Sequence, residues 1–367
     1  MMSPIRLPLR RILLALVSAA LVAAGLTALS GPAQAAVPNR WGFALVNIPS
    51  GVPDPSHQAG SWPAAFSVNV SPGVVGQTFV RFPQIGGPGG IVHVTAVVSA
   101  PAWCQVEKWN AVGVDEVVSV RCYRFGGVPG FVPFTIVYEE SSGPLPPGTH
   151  GFGYVAYNGA AVVGSYNSVL AANTVVPGGL GVWTVTLNGM GSPSPAGNIQ
   201  VTAVNPTAPA RCKVGGWAPS AAVQTVQVRC HDGVNNPFNT GWNLTYQRER
   251  AITGGAIPPK NFAYTFDLNP ANPGPYVPAP PGINYNSQGG VNTVQTAGAG
   301  MRLVFFPRVG VLRDHVQVTA YGPGPEYCNL LTTWGTGGSQ ATVRDVVCYN
   351  ATTRLDRQSL VTYTSEF

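Results

Sequence analysis

Charged side chains are scarce in this 367-residue sequence, in which Asp, Glu, Lys and Arg make up only 9% of the residues. Only three of the 20 basic residues are Lys, and no cluster of basic residues occurs. Nucleic acid is therefore not expected as a partner, because attraction to phosphates depends on clustered Lys and Arg. The formal charge of +6 falls to +3 when the first 35 residues, which hold three Arg and no acid, are set aside.

Long apolar runs are lacking after residue 35, so no later segment is expected to span a membrane. The first 35 residues combine a positive start, an apolar stretch and a small-x-small motif: Arg6, Arg10 and Arg11, then Ile12 to Leu29, then Ala33-Gln34-Ala35. This pattern predicts a signal peptide over 1–35 and a secreted, extracellular mature protein. A single membrane anchor is the alternative, and Arg10-Arg11 leaves Sec and Tat export both open.

Amphipathic helix patterns are also lacking after the predicted signal. Gly (45) and Pro (35) are abundant, but 45% of the residues are hydrophobic, and these form short Val-, Thr- and aromatic-rich runs between turn residues. That organisation is typical of strands rather than of a disordered chain.

Comparison of the chain with itself shows landmarks that recur three times in one order. They are an aromatic strand opener (Phe43, Phe152, Phe262), a Gly before an apolar strand (Gly76, Gly181, Gly300), a Val-Thr-Ala strand (Val92–Ala96, Ile199–Ala203, Val316–Ala320) and a cysteine pair. We predict three tandem β-repeats with limits of 40–149, 150–259 and 260–367.

The six cysteines fall as one pair in each repeat, which in an exported chain selects one of 15 connectivities. The predicted disulfides are Cys104–Cys122, Cys212–Cys230 and Cys328–Cys348. In repeat 1, folding two strands about Gly113 brings the paired cysteines opposite each other. Zinc sites usually show closer Cys-x2-Cys spacing, so neither a metal nor a cofactor is predicted.

Each repeat is expected to hold about seven short strands, which in repeat 1 centre on Phe43, Phe66, Val80, Val94, Val106, Val120 and Ile136. The predicted fold class is all-β, with three tandem β-sandwiches of immunoglobulin-like or jelly-roll-like form, each with one disulfide. A small barrel is a further alternative. Because the disulfide is expected to join neighbouring strands, the immunoglobulin family itself is not indicated.

Catalytic patterns are missing from the motifs. None of the five His residues recurs in all repeats, and His93 is interpreted as a strand-face residue because Gln200 and Gln317 replace it in the copies. The carboxylate pairs Asp115-Glu116 and Glu139-Glu140 are interpreted as solvated loop charges, since neighbours on a strand point to opposite faces. No catalytic residue is predicted, and the protein is not expected to be an enzyme.

Aromatic residues are the remaining candidates for function. Trp109, Trp217 and Trp334 follow the first cysteine of each repeat and are predicted to pack in the cores. The stretch ahead of each Gly-led strand varies most between the repeats, and binding residues are often placed in such loops. Trp62, Tyr166 and Tyr285 are accordingly predicted as ligand contacts.

The combined pattern resembles repeats of secreted β-proteins of actinobacteria and myxobacteria for which no activity is known. It is carried by Tyr285-Asn286-Ser287, Asn292-Thr293-Val294, Gly300, Val316 to Ala320, Cys328 and Cys348. Repeat 2 has Tyr166-Asn167-Ser168 and Asn173-Thr174-Val175, whereas repeat 1 lacks both elements. The resemblance implies export and repetition only.

The sequence thus favours a secreted, non-enzymatic protein that binds an extracellular ligand, with polysaccharide or cell wall as the expected partner. A structural envelope or spacer protein is the alternative, and a secreted hydrolase ranks third. Three similar modules in series would suit multivalent binding.

Overall fold

The computed structural model describes residues 39–142, 150–254 and 261–367, which we call segments 1, 2 and 3. The predicted signal peptide lies outside the described residues. Within these ranges the regular structure consists of strands and two short 3-10 helices, Pro55–His57 and Pro281–Ile283, and it includes no α-helix. The predicted all-β class is confirmed.

Segment 1 contains nine strands: β1 Arg40–Val46, β2 Gln58–Gly60, β3 Asn69–Pro72, β4 Gln77–Phe82, β5 Ile91–Ala96, β6 Ala102–Val112, β7 Asp115–Arg124, β8 Val128–Pro129 and β9 Phe134–Glu140. They form one sheet in the order β2-β1-β9-β5 and a second in the order β3-β4-β7-β6, with β8 paired to β7. The prediction of a strand centred on Phe66 is wrong. The Phe66 amide donates to the Pro63 carbonyl in a turn, and the Phe66 side chain is exposed.

Segment 2 contains β10 Gly151–Tyr157, β11 Val162–Asn167, β12 Thr174–Pro177, β13 Val182–Asn188, β14 Asn198–Val204, β15 Ala210–Pro219, β16 Val223–Asp232 and β17 Gly241–Arg248. Its two sheets have the orders β11-β10-β17-β14 and β12-β13-β16-β15. Position by position, this is the same arrangement as in segment 1.

Segment 3 contains β18 Phe262–Asp267, β19 Asn284–Asn286, β20 Thr293–Gly298, β21 Met301–Phe306, β22 Asp314–Ala320, β23 Tyr327–Leu330, β24 Gly335–Gly337, β25 Gln340–Asn350, β26 Thr353–Arg354 and β27 Ser359–Ser365. The sheet orders are β19-β18-β27-β22 and β20-β21-β25-β23, with β24 and β26 paired to β25. The strand order of segments 1 and 2 is therefore found a third time.

Side-chain alternation explains how the two sheets of a segment face each other. In β13, Trp183, Val185 and Leu187 are buried, whereas the residues between them are partly exposed. Such a period of two places one face of a strand on the core and the other towards water. Each segment supplies most of one main apolar core of this kind.

The three disulfides are those predicted: Cys104–Cys122, Cys212–Cys230 and Cys328–Cys348. In each pair the cysteines are direct partners on neighbouring antiparallel strands, β6 with β7, β15 with β16 and β23 with β25. The prediction that each bond joins neighbouring strands within one sheet is confirmed.

Three short parallel bridges connect the segments in a closed ring. Each joins the residue after a Val-Thr-Ala strand to the strand that carries the first cysteine of another segment: Val97 with Leu330, Val204 with Val106, and Tyr321 with Val214. The matching backbone hydrogen bonds are 2.7, 2.9 and 2.9 Å long. Segment 1 thus contacts segment 3, segment 3 contacts segment 2, and segment 2 contacts segment 1, about a pseudo-threefold axis.

A ring of buried polar side chains surrounds this axis. One Thr of each segment meets a Gln or His of another: Thr95 with Gln317 (2.6 Å), Thr202 with His93 (3.1 Å) and Thr319 with Gln200 (2.8 Å). Burial lowers the pKa of His93 to about 3, so its imidazole is neutral. It forms hydrogen bonds at the position where the other two segments have a Gln amide. His93 does lie on a strand face, as predicted, but that face is the centre of the molecule.

Candidate functional site

A shallow groove on segment 1 is built around an aromatic side chain. It has a volume of about 540 Å³ and is lined by Gly87, Pro88, Gly89, Trp109, Asn110 and Ala111. The Trp109 indole is half-buried, and its Nε1 donates a 2.8 Å hydrogen bond to the Gly89 carbonyl. An aromatic surface therefore lies beside an amide and a stretch of exposed backbone.

Two features of the chain place Trp109 in this groove. The first is a β-bulge in β6 between Val106 and Lys108, just before Trp109. An extra residue in a strand changes the direction of the side chains that follow. The second is the loop 86–90, in which a Cβ on Gly87 would lie 1.6 Å from Arg40 Nη1 and one on Gly90 would lie 2.6 Å from the Tyr138 ring. Glycine therefore allows the loop to lie directly on these two side chains.

A cluster of ionisable groups lies beneath the loop. Arg40 Nη1 donates to the Gly86 carbonyl at 2.7 Å and is 3.4 Å from Glu140 Oε2, and the Gly87 amide donates to Glu116 Oε2 at 3.3 Å. Burial raises the pKa of Glu116 to about 7; the Gly87 amide opposes the rise and Glu140 adds to it. Burial also raises the pKa of Glu140.

The prediction that these carboxylates are solvated is wrong for three of the four. Glu116, Glu139 and Glu140 are all less than 10% exposed, while Asp115 is paired with Arg81 at 2.9 Å near the surface. They lie at strand ends that the loop 86–90 and segment 2 cover. Since the loop separates Glu116 and Glu140 from the groove, they do not flank a bound ligand as glycosidase carboxylates do.

The Trp positions equivalent to Trp109 hold a partly exposed Trp217 and a buried Trp334. Trp217 Nε1 donates to Gln224 at 2.8 Å, and its ring packs near Tyr246 and Phe266. Trp334 is 3% exposed. All three Trp residues contact a core, as predicted, but the sequence does not distinguish Trp109 from its copies. The only hint in the sequence is the run of four Gly around Pro88.

The predicted ligand contacts lie apart from this groove. Trp62 is half-buried over Phe82 (ring centroids 6.1 Å apart), and Tyr285 is half-buried in stacks with Phe262 and Tyr264 (both 5.6 Å). Tyr166 is only 8% exposed, because Phe152 and Tyr154 of β10 pack against it. It is therefore a core residue and not an exposed surface for a ligand. Ligand binding by Trp62 and Tyr285 stays a prediction.

One His–Asp contact resembles part of a catalytic arrangement. His57 Nδ1 lies 2.5 Å from Asp314 Oδ1, and Asp314 also accepts from Trp334 (2.8 Å) and Tyr363 (3.0 Å). Burial alone would lower the pKa of His57. The hydrogen bond to Asp314 and the negative charge of Asp314 together outweigh burial and raise the pKa of His57 above 6.5. Within the described ranges the His57 imidazole has no other hydrogen-bond partner, so this pair ties segment 1 to segment 3 without a nucleophile.

The described residues include no set of three or more His, Cys, Asp or Glu residues arranged to hold a metal, and no helix with the length and hydropathy of a membrane span. Comparison of the chain with family models, curated proteins and solved structures gives no match.

Proposed function

We propose that this protein is an exported, non-enzymatic polysaccharide-binding protein and that the Trp109 groove is its binding site. The observation that carries the proposal is the groove itself, where the half-buried indole lies beside the Asn110 amide and the backbone of Gly87–Gly89. A sugar ring presents apolar C–H faces that pack on an indole, and its hydroxyls hydrogen-bond to amides and carbonyls. A shallow, open groove suits a chain of sugars better than a small enclosed ligand.

Export is supported by the three disulfides, because such bonds form and persist in oxidising compartments. Low charge also suits a ligand recognised by stacking and neutral hydrogen bonds. Because Trp334 is buried, we expect fewer such sites per chain than the three that the repeat pattern suggested.

The test is binding of the purified protein to isolated cell walls and to a panel of insoluble polysaccharides, followed by affinity electrophoresis with soluble ones. Trp109→Ala should weaken binding by roughly tenfold or more, because loss of about 1.4 kcal/mol of stacking and burial is a factor of ten. Trp109→Phe should retain part of the affinity.

Phe66→Ala is the matched control, since it removes an exposed aromatic ring of segment 1 that does not line the groove. Equal losses in the Trp109 and Phe66 variants would contradict the groove as the site. Trp62→Ala and Tyr285→Ala, tested in parallel, measure the contacts predicted from the sequence.

A structural spacer is the second candidate, and the closed ring of segments favours it. A rigid ring with three disulfides resists unfolding whether or not it binds anything. If the wild-type protein binds none of the polysaccharides or walls, the spacer function replaces the proposed one.

A further inference from the structure

The residue before the first cysteine of each pair lies beside the pseudo-threefold axis. In segments 1 and 3 it is aromatic, and it stacks on the residue after the second cysteine: Trp103 on Tyr123 at 5.9 Å and Tyr327 on Tyr349 at 5.8 Å. In segment 2 the same two positions hold Arg211 and His231, which are direct partners across β15 and β16. Packing alone would be met by a third aromatic pair, so the cation needs a separate explanation.

Arg211 is buried between the aromatic rings of the other two segments. Its guanidinium carbon lies 4.7 Å from the ring centroid of Trp103 and 4.7 Å from that of Tyr327, and the residue is 5% exposed. Attraction to ring faces offsets part of the cost of burying the charge. It does not neutralise that charge, however, because the rings carry none.

No carboxylate in the described ranges lies within ion-pair distance of Arg211. Its Nη2 donates to Asn235 Oδ1, whereas Nε and Nη1 are buried without a hydrogen-bond partner. Burial lowers the pKa of Arg211 to about 10, which leaves it charged at neutral pH. Buried charges in proteins are normally paired, so this cation lacks a counter-charge.

The neighbouring groups increase the positive excess. Lys213 is 3% exposed and pairs with Glu326 at 3.1 Å, but Glu326 also pairs with Arg357 at 2.9 Å. Arg229 and Asp232 act on the same region over longer distances. Four cations (Arg211, Lys213, Arg229 and Arg357) thus face two carboxylates (Glu326 and Asp232).

A cavity of about 40 Å³ lies on the axis next to these groups. Its wall includes Arg211, Lys213 and His231, together with Glu326 and one cysteine of each disulfide. A void needs about 10–15 Å³ to hold a water molecule, so this one is large enough for a small ion with water but too small for a sugar ring. His231 is neutral at neutral pH, because burial and then the nearby cations lower its pKa to about 4, and it can donate an N–H.

We infer that this axial cavity is a binding site for a small monovalent anion of chloride size, held by Arg211 and Lys213. The anion supplies the charge that the interface of the three segments lacks. Because all three segments line the cavity, a bound anion stabilises the closed ring as a whole. The site is independent of the Trp109 groove and of any polysaccharide.

The test compares thermal unfolding in sodium chloride with that in sodium gluconate at constant ionic strength. Chloride should raise Tm along a saturating curve, by about 3–4 °C once its concentration is a hundredfold above Kd. Arg211→Met should lose this chloride-specific rise. The matched control Lys108→Met removes an exposed Lys of β6 and should keep it.

Wild-type crystals soaked in sodium bromide provide a second measurement that does not depend on folding of the Arg211 variant. An anomalous bromide peak in the axial cavity is expected. The inference is overturned if chloride and gluconate give the same Tm, if Arg211→Met keeps the full chloride effect, or if bromide occupies surface positions only.

Discussion

Replacing Glu116 by Gln should remove a pH-dependent loss of stability between pH 4.5 and 7. Glu116 is fully buried, and burial raises its pKa from 4.5 to about 7 in the folded protein. In the unfolded chain it ionises near 4.5, so the folded state keeps a proton that the unfolded state has released. The stability that this group contributes is therefore complete below pH 4.5 and is lost as the pH rises through 7.

The size of the loss follows from the shift in pKa. About 2.5 pKa units at 1.36 kcal/mol each correspond to about 3 kcal/mol, which is roughly 4 °C in Tm for a domain of this length. The Tm of Glu116→Gln minus that of the wild type should therefore rise by roughly 4 °C between pH 4.5 and 8. Glu139, Glu140 and Arg40, the charged groups nearby, are present in both proteins, so most of their own pH dependence cancels in the difference.

Differential scanning calorimetry at half-unit pH steps measures the effect, with Asp115→Asn as the control. The pKa of the adjacent Asp115 is lowered by the Gln84 amide and by Arg81, so its contribution is lost only as the pH falls below about 4. Its curve should stay parallel to that of the wild type from pH 5 to 8. A flat difference curve for Glu116→Gln over that range would refute the argument.

Two further predictions concern the stability of the ring. Replacing Cys212 and Cys230 together by Ser should lower the free energy of unfolding, measured by urea titration, by about 3 kcal/mol, because the disulfide closes a loop between residues 18 apart in the sequence. An unchanged urea midpoint would show that the disulfide adds nothing to stability. Thr319→Val should cost about 1–3 kcal/mol, because it leaves Gln200 Oε1 without its 2.8 Å donor in the axial ring. Thr184→Val on the partly exposed face of β13 should change stability far less, and equal losses would contradict a special role for the ring.

The sequence was sufficient for features that depend on residues close in the chain. The spacing of Cys104 and Cys122 around Gly113, whose φ is +64°, predicts two strands and a turn, and the observed register pairs these cysteines directly. The all-β class follows from strand periodicity in the same way. Export and the repeat limits are not tested by the fold and remain predictions.

Features that depend on ring closure could not be read from the sequence. His93 and Gln317 occupy equivalent positions in two segments and are 224 residues apart in the sequence. Nothing in the sequence of the strands shows that they meet at one axis, where the Gln317 side chain donates to the His93 carbonyl at 3.4 Å. Similarly, the sequence predicts that Glu116 is a solvated loop charge. Its burial could not be predicted, because the Gly87 amide that covers it lies 29 residues away in the sequence. The same loop also lines the Trp109 groove.

The closed ring also fixes how many segments the molecule can hold. Most tandem arrays are open at both ends, so evolution can lengthen or shorten them by whole units. Here the last segment returns to the first through the bridge between Val97 and Leu330, and each segment spans one third of a turn. A fourth unit would have no gap to enter, and losing one would expose to water the faces through which the other two contacted it. The chain is in effect a trimer made from one polypeptide, whose assembly does not depend on protein concentration.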